Sequence, residues 1–144
     1  MADQLINTSD APKYMSLFKN NEGASLPADA VVAFENVLAS CHGRNVVQPN
    51  TSGLDNVVGV LDTSAADQAS VWVQTWGYRG TSIVYHTGTT LASGVRMIPV
   101  AGANYWNTSS GGTAGFGARA VLLQTVNCDS VSGTASAKIA LFCM

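Results

Sequence analysis

The sequence predicts an all-β fold: a small single-domain β-sandwich or barrel-like structure with an extended N-terminal arm. From Val46 onward, short runs rich in Val, Ile, Thr, Tyr and Trp alternate with Gly, Pro, Asn, Asp and Ser, which is typical of strands joined by turns. The chain has 144 residues, close to the ~150 residues of one average domain. Its residues are 47% hydrophobic and only 11% charged, whereas an ordinary soluble domain has roughly 25% charged residues. Few charges therefore cover the surface of this domain.

The N-terminal segment, residues 1–26, is predicted to be an arm, and residues 27–144 are predicted to form the β-rich domain. The segment contains Asp, Asn, Ser, Lys and Pro with isolated apolar anchors. It is too polar to form a core alone and too apolar to be a solvated tail, so we expect it to lie on its own domain or on a neighbour. The anchors are Leu5, Ile6, Tyr14, Met15, Leu17 and Phe18.

The stretch "LPADAVVAFENVLAS" is compatible with two structures. Val31, Phe34, Val37 and Leu38 fit one face of a helix, which the spacing slightly favours, while residues 30–36 also resemble a strand rich in β-branched and aromatic residues. Further along, seven strands are predicted near residues 46–49, 56–61, 70–78, 81–86, 95–100, 117–126 and 137–143. Seven short strands separated by turns indicate a sandwich or a small barrel.

Two glycines and one long loop connect these strands. Gly80 in "YRGTS" and Gly94 in "LASGVRM" are placed where tight hairpins would use a positive φ. The stretch "NYWNTSSGGTAGFG" is predicted to be a long loop, and its Tyr105 and Trp106 would be costly to leave in water.

The strand predicted at residues 70–78 has two apolar faces. Val71, Val73 and Thr75 alternate with Trp72, Gln74, Trp76 and Tyr78, so one face is β-branched and the other is mainly aromatic. A sandwich buries only one face of each sheet. Either the loop at 101–116 or the N-terminal arm covers the aromatic face, or that face is an interaction surface, since interfaces are enriched in Trp and Tyr.

Charge and hydropathy exclude several classes of partner. The net charge is −2 and the seven basic residues are scattered, whereas nucleic-acid binding requires cations concentrated on one face. Every apolar run is shorter than the ~20 residues of a membrane-spanning helix. The start of the chain lacks the basic and apolar regions of a signal peptide, so we expect synthesis in a cytoplasm. The three cysteines, Cys41, Cys128 and Cys143, predict no disulfide framework: in a reducing compartment they would behave as small buried apolar residues, and in an oxidised particle outside the cell two of them could pair.

No motif predicts catalysis, a metal or a cofactor. "GFGARA" has the spacing of a dinucleotide-binding loop but follows a polar loop and precedes a strand. Cys41 adjoins His42, and sequence neighbours have poor geometry for proton transfer or zinc binding. The chain has no G-x-S-x-G elbow, and Asp62 and Asp67 fit turn positions. We therefore expect a protein that is not an enzyme.

Two segments resemble the decoration, or cement, proteins of tailed-bacteriophage capsids. In "NVVGVLDTSAADQASVWVQTWG", a Val58-Gly59-Val60 strand leads through an alanine-containing loop into the Val71 and Val73 strand. "GARAVLLQTV", a polar turn and "AKIALFCM" resemble the last two strands of that family. The similarity in layout covers residues 28–144.

The resemblance implies a β-rich virion protein that stands on the outside of an icosahedral capsid. Such a protein is made in the host cytoplasm, is commonly a homotrimer, and stabilises contacts between major capsid protein subunits, with no direct binding of nucleic acid or membrane. It also implies that "AVVAFEN" is a strand. The residues expected to make self-association or capsid contacts are Tyr14, Leu17, Phe18, Trp72, Trp76, Tyr78, Tyr105 and Trp106.

Two other functions fit the same residues. A phage fibre or tail protein would also be a Gly- and Thr-rich β assembly. A carbohydrate-binding module could use Trp72, Trp76, Tyr78 and Trp106 as a platform on which sugar rings stack. A platform requires exposed, coplanar aromatic rings, whereas an interface buries them.

Overall fold

The computed structural model of the protein describes residues 12–35, 43–50, 56–108, 119–128 and 131–143. Over these ranges the chain is all-β, with eleven strands and no helix. The strands are β1 (Lys13–Asn20), β2 (Val31–Phe34), β3 (Asn45–Val47), β4 (Val57–Leu61), β5 (Ser70–Arg79), β6 (Ile83–His86), β7 (Arg96–Pro99), β8 (Trp106–Thr108), β9 (Ala120–Leu122), β10 (Gly133–Ser136) and β11 (Ile139–Phe142). The all-β fold class predicted from the sequence is confirmed.

The first five strands close into a barrel, in the order β1-β3-β2-β4-β5, because β5 also pairs with β1. The β1–β3 pair is parallel and the other four pairs are antiparallel. Closure leaves this barrel without a free sheet edge. We call it the first barrel.

The remaining strands extend from β5 in the order β11-β9-β7-β8-β6-β10, which we call the second sheet. β11 pairs with the C-terminal half of β5, from Trp76 to Arg79. Beyond this pair, Ser82 and Ala137 exchange two backbone hydrogen bonds of 2.9 Å, and the chain continues into the β6–β10 pair. β5 is therefore the strand common to the first barrel and the second sheet.

Two apolar cores fill the domain, and β2 and β4 contribute to both. Val32 and Val58 belong to the core that contains Phe18 and Val73. Val31, Val57 and Val60 belong to the core of the second sheet. A strand buried on both faces requires a continuous apolar run instead of an alternating one, which explains "VVAF" and "VVGVL". Much of the high apolar content is thus buried within the chain itself.

Gly59 lies at the centre of β4, opposite Val32, at a close approach of β4 to β5. A Cβ at this position would collide with the backbone carbonyl oxygen of Gln74. The glycine of the Val-Gly-Val motif is therefore required by backbone packing between two strands.

Residues 12–26 of the predicted N-terminal arm lie against the chain's own domain, which is one of the two positions expected for the arm. β1 pairs with β5 over Lys13–Lys19 and with β3 at its end, so it is one of the barrel strands. Leu26 is buried and bridges Ala65. Polarity does not follow burial in this strand: Asn20 is fully buried and its Nδ2 donates to the carbonyl oxygens of Ala24, Ala65 and Ala66, whereas Tyr14 and Leu17 are exposed. Residues 1–11 lie outside the described residues.

The strand over Val31–Phe34 confirms the β interpretation of the ambiguous stretch. The hairpin predicted at Gly80 is wrong, because β5 and β6 do not pair with each other and Gly80 has no positive φ. Gly94 does have a positive φ of 85°, but the strands on either side of it do not form a hairpin. Four strands, β1, β2, β8 and β10, are additional to the seven that composition predicted.

Candidate interaction surface

β5 has the two-faced pattern that its sequence predicts, with one exception. Val71, Val73 and Thr75 are buried, while Trp72, Trp76 and Tyr78 are exposed. Gln74 is buried although its neighbours in the alternation are exposed. The register between β1 and β5 shifts at Tyr14 and Met15, next to Gln74, so the alternation of faces is disturbed there.

The buried amide of Gln74 is fully used in hydrogen bonds. Its Nε2 donates to the carbonyl oxygens of Trp76 and Tyr78, at 3.3 and 2.7 Å. Its Oε1 accepts from Nη1 of Arg79 at 3.4 Å. Gln74 therefore serves the interior of the fold and does not belong to the exposed aromatic residues.

Three exposed aromatic residues lie around the exposed Trp76. We call the four residues the Trp76 surface: Tyr14, Trp76, Tyr78 and Phe142. Tyr14 and Phe142 are the cross-strand partners of Trp76 on β1 and β11. Directly opposed residues of paired strands share a face of the sheet. The ring centroids of Tyr14 and Trp76 lie 5.6 Å apart, with an interplanar angle of 68°. The exposed fractions are 66% for Tyr14, 39% for Trp76, 38% for Tyr78 and 45% for Phe142.

Two shallow grooves flank the indole of Trp76. One, of about 290 Å³, is lined by Tyr14, Met15, Ser16, Thr75 and Trp76. The other, of about 220 Å³, has Trp76 on one side and Pro12, Tyr78 and the end of β11 on the other. Both are lined mainly by apolar atoms, so each can accept an apolar side chain of a partner.

A second exposed apolar pair lies elsewhere on the same two strands. Leu17 on β1 is the register partner of Trp72 on β5, and the two side chains are 54% and 52% exposed. The alkyl and indole groups of this pair are available for contact with another molecule.

Two of the residues predicted to make contacts, Phe18 and Trp106, are buried, and a third, Tyr105, is half-buried. Phe18 belongs to the core that also contains Val73, and it packs edge-on against Phe34. Trp106 is fully buried in the core of the second sheet, and its Nε1 donates a 3.0 Å hydrogen bond to Ser82 Oγ. Tyr105 is half-buried and stacks on Tyr85 with centroids 5.3 Å apart. Phe18 and Trp106 are therefore removed from the candidate surface, because their burial is satisfied inside the chain.

Phe142 was missed by the sequence analysis. The signal was present in "KIALFC", where Lys138, Ala140 and Phe142 alternate with Ile139 and Leu141. The inward set, which also includes Cys143, is buried. Phe142 belongs to the outward set, and its pairing with Trp76 places it beside Trp76 in the candidate surface.

Arg79 forms a buried polar junction beside this surface. Its Nη2 contacts Asp29 Oδ1 at 2.6 Å and the Leu61 carbonyl oxygen at 2.7 Å. Its Nη1 contacts Asp62 Oδ1 at 3.4 Å, and its Nε donates to the Thr81 carbonyl oxygen at 2.8 Å. The guanidinium is thus satisfied on all sides, which indicates a structural tie between β5 and the loops around β4.

Among the described residues, the titratable side chains are the candidates for metal binding and nucleophilic chemistry. No group of three His, Cys, Asp or Glu residues there could hold a metal ion. Burial raises the pKa of the Cys143 thiol to about 12, partly offset by the charge of Arg119 and a backbone hydrogen bond from Phe142. A thiol with so high a pKa is a poor nucleophile at neutral pH. The adjacent Cys41 and His42, and most of "GFGARA", lie outside the described residues.

Within the described ranges there is no helix of the length and apolar character that crossing a membrane requires. Neither the protein-family models nor the curated proteins that were compared with this chain match it.

Proposed function

We propose that this protein binds the outer surface of an icosahedral phage capsid and stabilises contacts between major capsid subunits, acting as a homotrimer. The observation that carries the proposal is the Trp76 surface, a cluster of exposed aromatic residues on a domain whose two cores are already filled. Such a cluster is not needed for the fold, and exposed apolar clusters mark interaction sites.

The size of the exposed area agrees with this role. At 150–250 Å² for each aromatic side chain, the exposed parts of the four residues amount to roughly 300–500 Å². A stable interface buries about 800 Å² on each partner. The Trp76 surface alone therefore supports a weak single contact, and many symmetric copies on a shell would make weak contacts sufficient.

The segments that resemble the decoration family form connected parts of the structure. The Val58-Gly59-Val60 strand is β4 and the Val71 and Val73 strand is β5 of the first barrel. The two C-terminal segments contain β9 and β11, which are neighbours in the second sheet. The resembling segments thus contribute Trp76 and Phe142 to the candidate surface.

A carbohydrate-binding module has less support. Trp106 is fully buried, and the rings of Tyr14 and Trp76 meet at 68°. Stacking on sugar rings requires coplanar exposed aromatic rings. Trp106 is therefore not available to such a platform, and Tyr14 and Trp76 do not form a coplanar pair.

Co-sedimentation with empty shells tests the proposal. The shells are assembled from the major capsid protein encoded by the same genome, before and after expansion. We expect the wild-type protein to bind expanded shells and to raise their melting temperature, and light scattering to give the mass of a trimer over a dilution series. Failure to bind either form of the shell would overturn the proposal.

A further inference from the structure

The face that includes the Trp76 surface continues across the second sheet. Tyr78 is the register partner of Ala140, Ala140 of Val121, and Val121 of Arg96. The alternate residues of these strands lie in the second core: Ile139, Leu141, Leu122, Ala120 and Met97. The first set therefore forms one outward row over β5, β11, β9 and β7. Neighbouring strands are about 4.8 Å apart, so this row is roughly 14 Å long.

Three cations lie on this outer face. Arg96 is at the β7 end of the row and is exposed. Lys138 precedes the inward Ile139, is exposed, and accepts a backbone hydrogen bond from Leu123. Arg119 precedes the inward Ala120, and its carbonyl oxygen accepts the N–H of Phe142. Arg96 and Lys138 form no ion pair with any described residue.

The described carboxylates lie elsewhere in the structure. Those on the first barrel and its loops are Glu22, Asp29, Glu35, Asp62 and Asp67. The two nearest to the face, Asp29 and Asp62, share a depression with Tyr78 and are paired with Arg79. From residue 80 onward, the described residues include no Asp or Glu. Among the described residues, the outer face therefore combines an aromatic half with a cationic half to which no Asp or Glu contributes.

We propose that this outer face is the shell-binding face, and that it docks on an acidic protein surface with exposed apolar side chains. The inference rests on the proposed function and names the chemistry of the partner. The aromatic residues around Trp76 supply the apolar anchor, and Arg96 and Lys138 supply the complementary charge at its edge. Charges at an interface edge accelerate association and select the partner.

Three other occupants fit this face less well. Two copies meeting through the same face would bring like charges together, which is repulsive. Tight binding of nucleic acid commonly uses six to ten phosphate contacts, more than these three cations provide. A membrane surface requires several clustered basic residues, about 4–8 for recognition of anionic lipid. An acidic protein surface needs only a few matched charges beside an apolar anchor.

Charge reversal tests the inference. We compare the wild-type protein with the double variant R96E/K138E and with the matched control K19E/R44E, which makes the same change of charge on the first barrel. Binding to expanded shells is measured at 50 mM and 500 mM salt, together with the thermal midpoint and the solution mass of each protein. Vesicles with 30% phosphatidylserine and a 20-nucleotide single-stranded DNA serve as alternative probes.

We expect R96E/K138E to bind shells about 10-fold more weakly at 50 mM salt, with a smaller difference at 500 mM, because salt screens exposed charges. K19E/R44E should change binding less than 3-fold. All three proteins should have the same solution mass, and each should unfold cooperatively on heating.

Each contrary result has a distinct meaning. Equal binding of R96E/K138E and wild type to shells overturns the inference while the proposed function stands. Loss of the oligomer in R96E/K138E assigns the face to contacts between copies and also overturns it. The wild type could instead bind vesicles or DNA as tightly as shells, and R96E/K138E could weaken that binding equally. This result would overturn the inference that the partner is a protein. Absence of any wild-type binding to shells overturns the proposed function and the inference together.

Discussion

Tyr14 and Trp76 lie opposite each other on β1 and β5, with their rings in edge-to-face contact at 5.6 Å. The contact connects a strand near the N-terminus to the strand common to the first barrel and the second sheet. Each ring is only partly covered by the other, so both remain available to a partner. An intramolecular contact that leaves so much aromatic surface exposed orders the two side chains before binding, which lowers the entropic cost of association.

Trp76→Ala is expected to weaken docking or self-association more than it weakens the fold. The indole is 39% exposed and at the centre of the surface, and Trp residues of this kind commonly contribute 2 kcal/mol or more to binding. Shell binding and solution mass measure the first effect, and urea unfolding of the monomer measures the second.

Trp106→Ala is the matched control, because Trp106 is fully buried. We expect it to cost about 3–5 kcal/mol of folding free energy through the cavity it leaves. Equal losses of unfolding free energy in the two variants would show that Trp76 is as much a core residue as Trp106, and would contradict this prediction.

Gly59→Ala is expected to destabilise the protein by about 2–4 kcal/mol. The new methyl group would collide with the carbonyl oxygen of Gln74, which belongs to a paired strand and cannot move without separating β4 from β5. Chemical denaturation gives the change in unfolding free energy.

Gly80→Ala serves as the control for Gly59→Ala. A Cβ at Gly80 would meet only the side chain of Tyr78, with the hydroxyl oxygen at 3.8 Å and a ring carbon at 4.0 Å, which are ordinary van der Waals contacts. We expect a change within about 0.5 kcal/mol. A Gly59→Ala protein as stable as Gly80→Ala would mean that β4 and β5 can separate at little cost.

The sequence predicted the all-β class because strand composition and turn residues are local signals. The alternation in β5 likewise separated Val71 and Val73 from Trp72 and Trp76, but it left open whether the aromatic face is covered by the chain itself. It could not predict that Gln74 is buried, since this depends on the register shift against β1. Nor could it show that Trp106 has a partner in Ser82, because that hydrogen bond joins residues 24 positions apart in the sequence, Ser82 just before β6 and Trp106 at the start of β8.

The sequence also did not predict that β2 and β4 are buried on both faces. From composition alone, the excess of apolar residues suggested burial against other molecules. The structure places Val31 and Val32, which are adjacent in sequence, in two different cores. Only the arrangement of the first barrel against the second sheet distinguishes intramolecular burial from an interface, and that arrangement depends on contacts between distant segments.

Arg79→Leu is expected to cost about 3–5 kcal/mol of folding free energy. The substitution leaves Asp29 and the Leu61 carbonyl oxygen without their buried donor, and an uncompensated partner is the main cost of breaking such a pair. Thermal and urea unfolding measure the loss.

Arg96→Leu is the control for Arg79→Leu, since Arg96 is exposed and has no ion pair with a described residue. Its effect on the fold should be within about 0.5 kcal/mol. If Arg79→Leu were equally mild, water would have to replace the guanidinium at the junction, and Arg79 would not be a structural tie.

The stability of the protein should fall at alkaline pH because of Cys143. Burial raises the pKa of this thiol from 9.0 to about 12 in the folded state. Above pH 9 the unfolded chain loses the thiol proton while the folded protein keeps it, so folding becomes less favourable as pH rises towards 12 and is unaffected by this group below 9. The maximum slope for one proton is about 1.4 kcal/mol per pH unit. Unfolding of wild type and Cys143→Ala between pH 7 and pH 11 checks this prediction: the variant should have a shallower alkaline decline, and identical declines would show that the thiol does not contribute.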